Sequence, residues 1–149
     1  LYIRKFLEQY DGEVLRLALL SSHYRQPLNW TESTIEMAKN NLDRFYRVLK
    51  NFNEVETIDM KDELLPKDFL NALCDDLNIS VAVAELNKMI KVLNNSSNNK
   101  DQIINKTKLL FSANILGILQ KSPFLGFANF IWHACRDYQP NRHTMLRSA

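Results

Sequence analysis

The sequence predicts an all-α fold, an antiparallel helical bundle, on three observations. Apolar residues recur at spacings of three and four over long windows. No window alternates apolar and polar residues as a half-buried strand would. The 149 residues include only three glycines and four prolines, too few for the many tight turns of an all-β chain. With 46% hydrophobic and 24% charged residues, the composition is that of one globular domain long enough to bury a core.

The first helix is expected after Asp11, a good N-cap, and before Pro27, which lacks an N–H and restricts its neighbour. Leu15, Leu17, Ala18, Leu19 and Leu20 make it nearly apolar all round, so burial on most sides is expected. Leu1 to Leu7 already read as mid-domain material. The next helix starts near Thr31 or Ser33: Thr31 is a good N-cap, and Ser33 with Glu36 fits a capping box. Ile35, Ala38, Leu42, Phe45, Leu49 and Phe52 then form a narrow apolar seam, with Arg44, Arg47 and Lys50 off it.

Residues 53–67 read as a polar connection, and helix resumes after Pro66 with Phe69, Leu70, Leu73 and Leu77. Asn78 and Ser80 are cap residues for a helix carrying Val83, Leu86, Ile90 and Leu93. Residues 94–102 are a low-complexity polar loop. A last helix is expected from about Asp101 to Gln120, with Leu110, Phe111, Ile115, Ile118 and Leu119 on its apolar face. Residues 124–149 crowd Phe124, Phe127, Phe130, Ile131 and Trp132 without a clean seam and then turn polar.

Chemistry is sparse. Two cysteines, Cys74 and Cys135, build neither a disulfide framework nor a four-cysteine zinc site. His133 and Cys135 lack a second ligand pair, and Cys74 falls in a core pattern where a buried thiol is the ordinary reading. Asp75 and Asp76 are adjacent, so on a helix they diverge by about 100°, and capping explains them better than an acid pair. No phosphate-loop, nucleophile-elbow or zinc-protease string occurs, so no catalytic residue, cofactor site or metal site is expected in this chain. No apolar run is long enough for a membrane span and no secretory signal opens the chain, so a cytoplasmic protein is expected. The net charge of +2 is small, but an acidic middle lies between a weakly basic start and a basic end.

One stretch departs from an ordinary helix boundary. HYRQPLNW, residues 23–30, gathers a histidine, an arginine, two aromatics and an amide where a turn would need only Gly, Ser or Asn. The run YDGEVLRLALLSSHYRQPLNWTE resembles the segment of bacterial cysteinyl-tRNA synthetases that follows the catalytic domain. LDRFYRVL (42–49), ALCDDLNISVAVAEL (72–86) and LGILQKSP (116–123) resemble the same family in the right order, so the likeness covers residues 1 to about 123.

The resemblance implies an anticodon-binding type of bundle, as in class I synthetases. It divides the chain into a stem-contact segment (1–30), a helical tRNA-binding bundle (31–123) and a divergent tail (124–149). It implies tRNA for cysteine and the family's catalytic domain as partners. Arg16, His23, Arg25 and Asn29 would face RNA at the junction, where basic and amide groups reach phosphates and ribose. Arg44, Arg47 and Lys50 are the next candidate contact face, while Tyr24, Leu28 and Trp30 are expected to pack. The family's ATP-binding strings and zinc ligands are absent from these residues, so the chain is expected to lack ligase activity alone. Residues 126–149 do not resemble the family's continuation; a truncated or frame-shifted product would explain both ends. The rival expectations are a protein-interaction module and a gene product without function.

Overall fold

Four helix starts are fixed by short polar side chains. In the computed structural model, which describes residues 3–28 and 30–120, the carboxylate of Asp11 accepts from the Glu13 amide at 3.2 Å and opens one helix. Thr31 Oγ1 accepts from the Thr34 amide at 3.3 Å, Asn78 from Val81 at 3.3 Å and Asn98 from Lys100 at 3.2 Å. Each satisfies a backbone donor that the first turn would otherwise leave open. The helices are α1 (Ile3–Leu7), α2 (Gly12–Leu20), α3 (Glu32–Asn51), α4 (Lys67–Cys74), α5 (Ile79–Asn94) and α6 (Asn99–Ile115), with a 3-10 turn at Asp62–Leu64. No strand occurs among the described residues, as the periodicity predicts.

The packing follows chain order. Helix α2 lies along α3, α4 along α5, and α5 along α6, with a lighter contact between α3 and α5. The short connections reverse the chain between neighbours, the arrangement of an antiparallel bundle. One core joins Leu17 and Ala18 of α2, Ile35, Leu42 and Phe45 of α3, Phe69 of α4, Leu86 and Leu93 of α5, and Leu109 and Ala113 of α6. The α3 seam is buried from Ile35 to Leu49 as the spacing predicts, and Phe52 is half-buried.

Several expectations change. Thr31, not Ser33, caps α3, and α5 starts from Asn78, leaving Ser80 inside it. Pro66 is the residue before α4 rather than its first turn. Cys74 is exposed, not buried, because it lies at the end of α4 beside the chain reversal. Leu19 remains 44% exposed, so α2 is not covered all round by the described residues. The connection at 53–67 is not merely polar. Met60 is buried, and the Ile58 amide donates to Thr107 Oγ1 of α6 at 3.2 Å.

Helix α6 begins at Asn99 and ends at Ile115, five residues before the expected end. Gly117 adopts φ +67°, its amide bonds the Asn114 carbonyl at 2.9 Å, and the Ile118 amide reaches back to Ala113 at 3.0 Å. This is the glycine-terminated end in which a left-handed residue lets the last carbonyls find donors. The apolar residues after it are still core: Ile118 and Leu119 are buried.

Two buried charged side chains tie the layers together. Glu13 of α2 accepts from the Tyr46 hydroxyl of α3 at 2.6 Å and from the Gln120 amide at 2.7 Å. Lys106 of α6 donates to the Phe52 carbonyl at 3.0 Å and the Val55 carbonyl at 2.5 Å, so a cation sits where the α3 carbonyls end. Burial pushes the Lys106 ammonium below its ordinary pKa. No helix among the described residues is long and apolar enough to cross a membrane.

Candidate nucleic-acid interface

The residues after α2 turn tightly. The Gln26 amide bonds the His23 carbonyl at 2.8 Å, and the Arg25 amide approaches His23 Nδ1 at 3.3 Å. Three successive side chains are thereby presented on one side of the loop. The His23 ring stacks on the Tyr24 ring, with centroids 4.8 Å apart and planes 27° apart. The Arg25 guanidinium carbon lies 5.3 Å from the Tyr24 centroid, within range of a cation–π contact.

All three converge on one residue from the other half of the fold. Between α4 and α5, Asp76 and Leu77 both adopt left-handed backbone, φ 51° and 54°. An aspartate tolerates this conformation better than a leucine. The Tyr24 hydroxyl donates to Asp76 Oδ1 and accepts from Arg25 Nε at 2.7 Å. Arg25 Nη2 donates to the same Oδ1 at 3.0 Å, and His23 Nε2 lies 3.8 Å from Oδ2. The cluster is a clasp between the loop after α2 and the α4–α5 reversal.

Its charges reinforce one another. The Tyr24 hydrogen bond first, and then the positive charge of Arg25, hold the Asp76 carboxyl below its ordinary value of 3.8. The bond to Asp76 raises the Tyr24 hydroxyl above 10.0, because ionised phenol would face a carboxylate. Arg25 is raised by its bond to Tyr24 and by the charge of Asp76. The depressed carboxyl stabilises the clasp fully above 3.8 and loses that effect as pH falls through its lower folded value. The raised phenol contributes fully below 10.0 and loses its effect as pH rises through its higher folded value. An NMR titration is expected to place the Asp76 midpoint below 3.8 and to move it upward in Tyr24→Phe.

The other candidates divide. Arg16 Nη1 donates to the Gly117 carbonyl, so it secures the turn after α6. A Cβ on Gly117 would stand 2.7 Å from that nitrogen, a second reason for glycine there. Arg44 donates to Asn87 Oδ1 of α5 and lies 5.8 Å from the Phe45 ring centroid. Arg47 and Lys50 are exposed on α3. Residues 44, 47 and 50 fan over about 120° of the helix surface rather than forming one row. Asn29 lies outside the described residues, as does the tail at 124–149.

Tyr24 and Leu28 are not packing residues as expected: they are 58% and 43% exposed. Trp30 does pack, edge to face on Phe6 with centroids 5.5 Å apart. Asp76 was legible in sequence only as a member of the DDLN string; nothing local pairs it with residues 23–25. Among the described residues no group of three or more His, Cys, Asp or Glu is placed to hold a metal.

Residues 1–40 match the family model for the class I (C) tRNA synthetase catalytic domain, and residues 68–120 match the DALR domain. Together these matches define the class as class I aminoacyl-tRNA synthetase, with a bundle of the DALR type. A cysteine–tRNA ligase of Wolbachia pipientis subsp. Culex pipiens (strain wPip) is 41% identical over 122 residues, 82% of this chain and 25% of that protein. Those of Rickettsia rickettsii (strain Sheila Smith) and Rhodospirillum rubrum are 41% and 39% identical, over 78% and 81% of this chain and 24% and 26% of those proteins. The chain belongs to the cysteinyl-tRNA synthetase family and spans about a quarter of the length of these curated relatives.

Proposed function

We propose that this chain carries the tRNA-binding region of a cysteine–tRNA ligase, acting in the cytoplasm on tRNA for cysteine. The observation that carries the reading is the ordered pair of family matches, at 1–40 and 68–120, joined by the His23–Tyr24–Arg25 clasp on Asp76. Arg25, Arg47 and Lys50 offer cations to the RNA backbone, and the exposed Tyr24 ring offers a face on which a sugar or base can rest. Arg16 and Arg44 act differently, holding the scaffold through Gly117 and Asn87. Ile3 and Leu7 of α1, each more than half exposed, offer apolar surface to the rest of the family's catalytic domain, whose family model residues 1–40 match. On this reading residues 1–30 are the stem-contact segment, residues 31–123 the bundle, and ATP and zinc chemistry belongs to the catalytic domain.

Titration of the 149-residue chain with a cysteine tRNA and a non-cognate tRNA at two salt concentrations tests the proposal. The cognate tRNA is expected to bind more tightly, with affinity falling as salt rises, because phosphate contacts release counterions. Arg47→Ala and Lys50→Ala are each expected to reduce the magnitude of the log–log salt slope by about 1. Salt-insensitive capture of a protein partner, with no tRNA binding, would favour an interaction module instead.

A further inference from the structure

Arg25 is held at two of its three nitrogens. Its Nε donates to the Tyr24 hydroxyl at 2.7 Å and its Nη2 to Asp76 Oδ1 at 3.0 Å. The hydroxyl that accepts from Nε donates in turn to that same carboxylate oxygen, which closes a ring of three hydrogen bonds. The guanidinium is planar, so two fixed nitrogens define its plane and the direction of the third. Nη1 makes no hydrogen bond among the described residues, and the side chain is 67% exposed. An arginine tethered in this way still offers both Nη1 donors to an anion, and its rotamer freedom is already restricted before binding.

From this geometry we infer that Asp76 is a positioning residue for RNA recognition: it holds Arg25 so that Nη1 is presented to a phosphate of the bound tRNA. The inference rests on the tRNA-binding reading above and adds an acidic residue to an interface for a polyanion. That addition gives it a sign that charge alone does not. A carboxylate near RNA repels phosphates, so removing it should tighten binding if Asp76 is only a nearby charge. If Asp76 orients Arg25, removing it weakens binding although the chain becomes more positive. The backbone supports the substitution needed to tell these apart. Glycine suits φ near 51° and removes the carboxylate outright, whereas asparagine keeps an Oδ1 able to accept from both the Tyr24 hydroxyl and Arg25 Nη2.

The experiment is a double-mutant cycle on the full 149-residue chain, titrated with an unmodified cysteine tRNA transcript. The proteins are wild type, Asp76→Gly, Arg25→Ala and the double variant, each checked by thermal melting, with Asp76→Asn as the control that removes the charge and keeps the acceptor. Asp76→Ala, which removes the same carboxylate, substitutes if the glycine variant melts early. Asp76→Gly is expected to bind roughly fivefold more weakly than wild type and to have no further effect on the Arg25→Ala background. A structural role independent of Arg25 would instead lower affinity equally on both backgrounds, and that result overturns the inference. Equal or tighter binding by Asp76→Gly also overturns it and leaves the tRNA-binding reading standing. No binding by folded wild-type chain overturns both.

Discussion

Phe45→Ala is expected to lower the unfolding free energy by about 3–5 kcal/mol, the range for emptying a buried aromatic site. Phe45 is fully buried at the centre of the α3 seam, in the core shared by α2, α4, α5 and α6. Small domains are stable by only about 5–15 kcal/mol, so this one change removes a large share of the total. Urea unfolding checks it: the midpoint should fall sharply while the slope stays near wild type. Met37→Ala on the same helix is the control. Met37 is 63% exposed, and its loss is expected to stay within about 0.5 kcal/mol.

Glu13→Ala is the second large expected effect. The carboxylate is buried on α2 and accepts from Tyr46 and from the Gln120 amide. Truncation leaves two donors without that acceptor, at about 1–3 kcal/mol each, so a loss of about 2–6 kcal/mol is expected. Glu13→Gln keeps the length and one oxygen but turns an NH₂ toward one of the donors, and should lose less. Combining Glu13→Ala with Tyr46→Phe is expected to be strongly non-additive, because both variants break the same bond.

The fold was legible where a helix buries one narrow face. The α3 seam could be read residue by residue because Ile35, Ala38, Leu42, Phe45 and Leu49 all turn inward. The end of α6 was not, because Gly117 sits between apolar residues that keep the helical spacing while the backbone leaves the helix. Choosing between Thr31 and Ser33 was also beyond local pattern, since both present a hydroxyl and only the backbone direction selects Thr31. Cys74 misled through its spacing, which continues the apolar pattern to the exposed end of α4.

The candidate interface was half legible. The unusual chemistry of residues 23–30 could be seen in one dimension, and so could the DDLN string. Their meeting could not, because 51 residues separate Arg25 from Asp76 and no local rule spans that distance. For the same reason the bonds of Arg16 to Gly117 and of Arg44 to Asn87 could not be read from the sequence.

The partners of Glu13 also set an order of events during synthesis. Tyr46 is made 33 residues after Glu13 and Gln120 107 residues after it, and the Gly117 carbonyl follows Arg16 by 101 residues. A chain emerging from the ribosome can therefore dock α2 on α3 early, while α4, α5 and α6 pair locally as they appear. The last donor to the Glu13 carboxylate arrives only with residue 120. Until then water can occupy that side of the carboxylate, so the Glu13 site is completed only when nearly all of the described bundle has been translated.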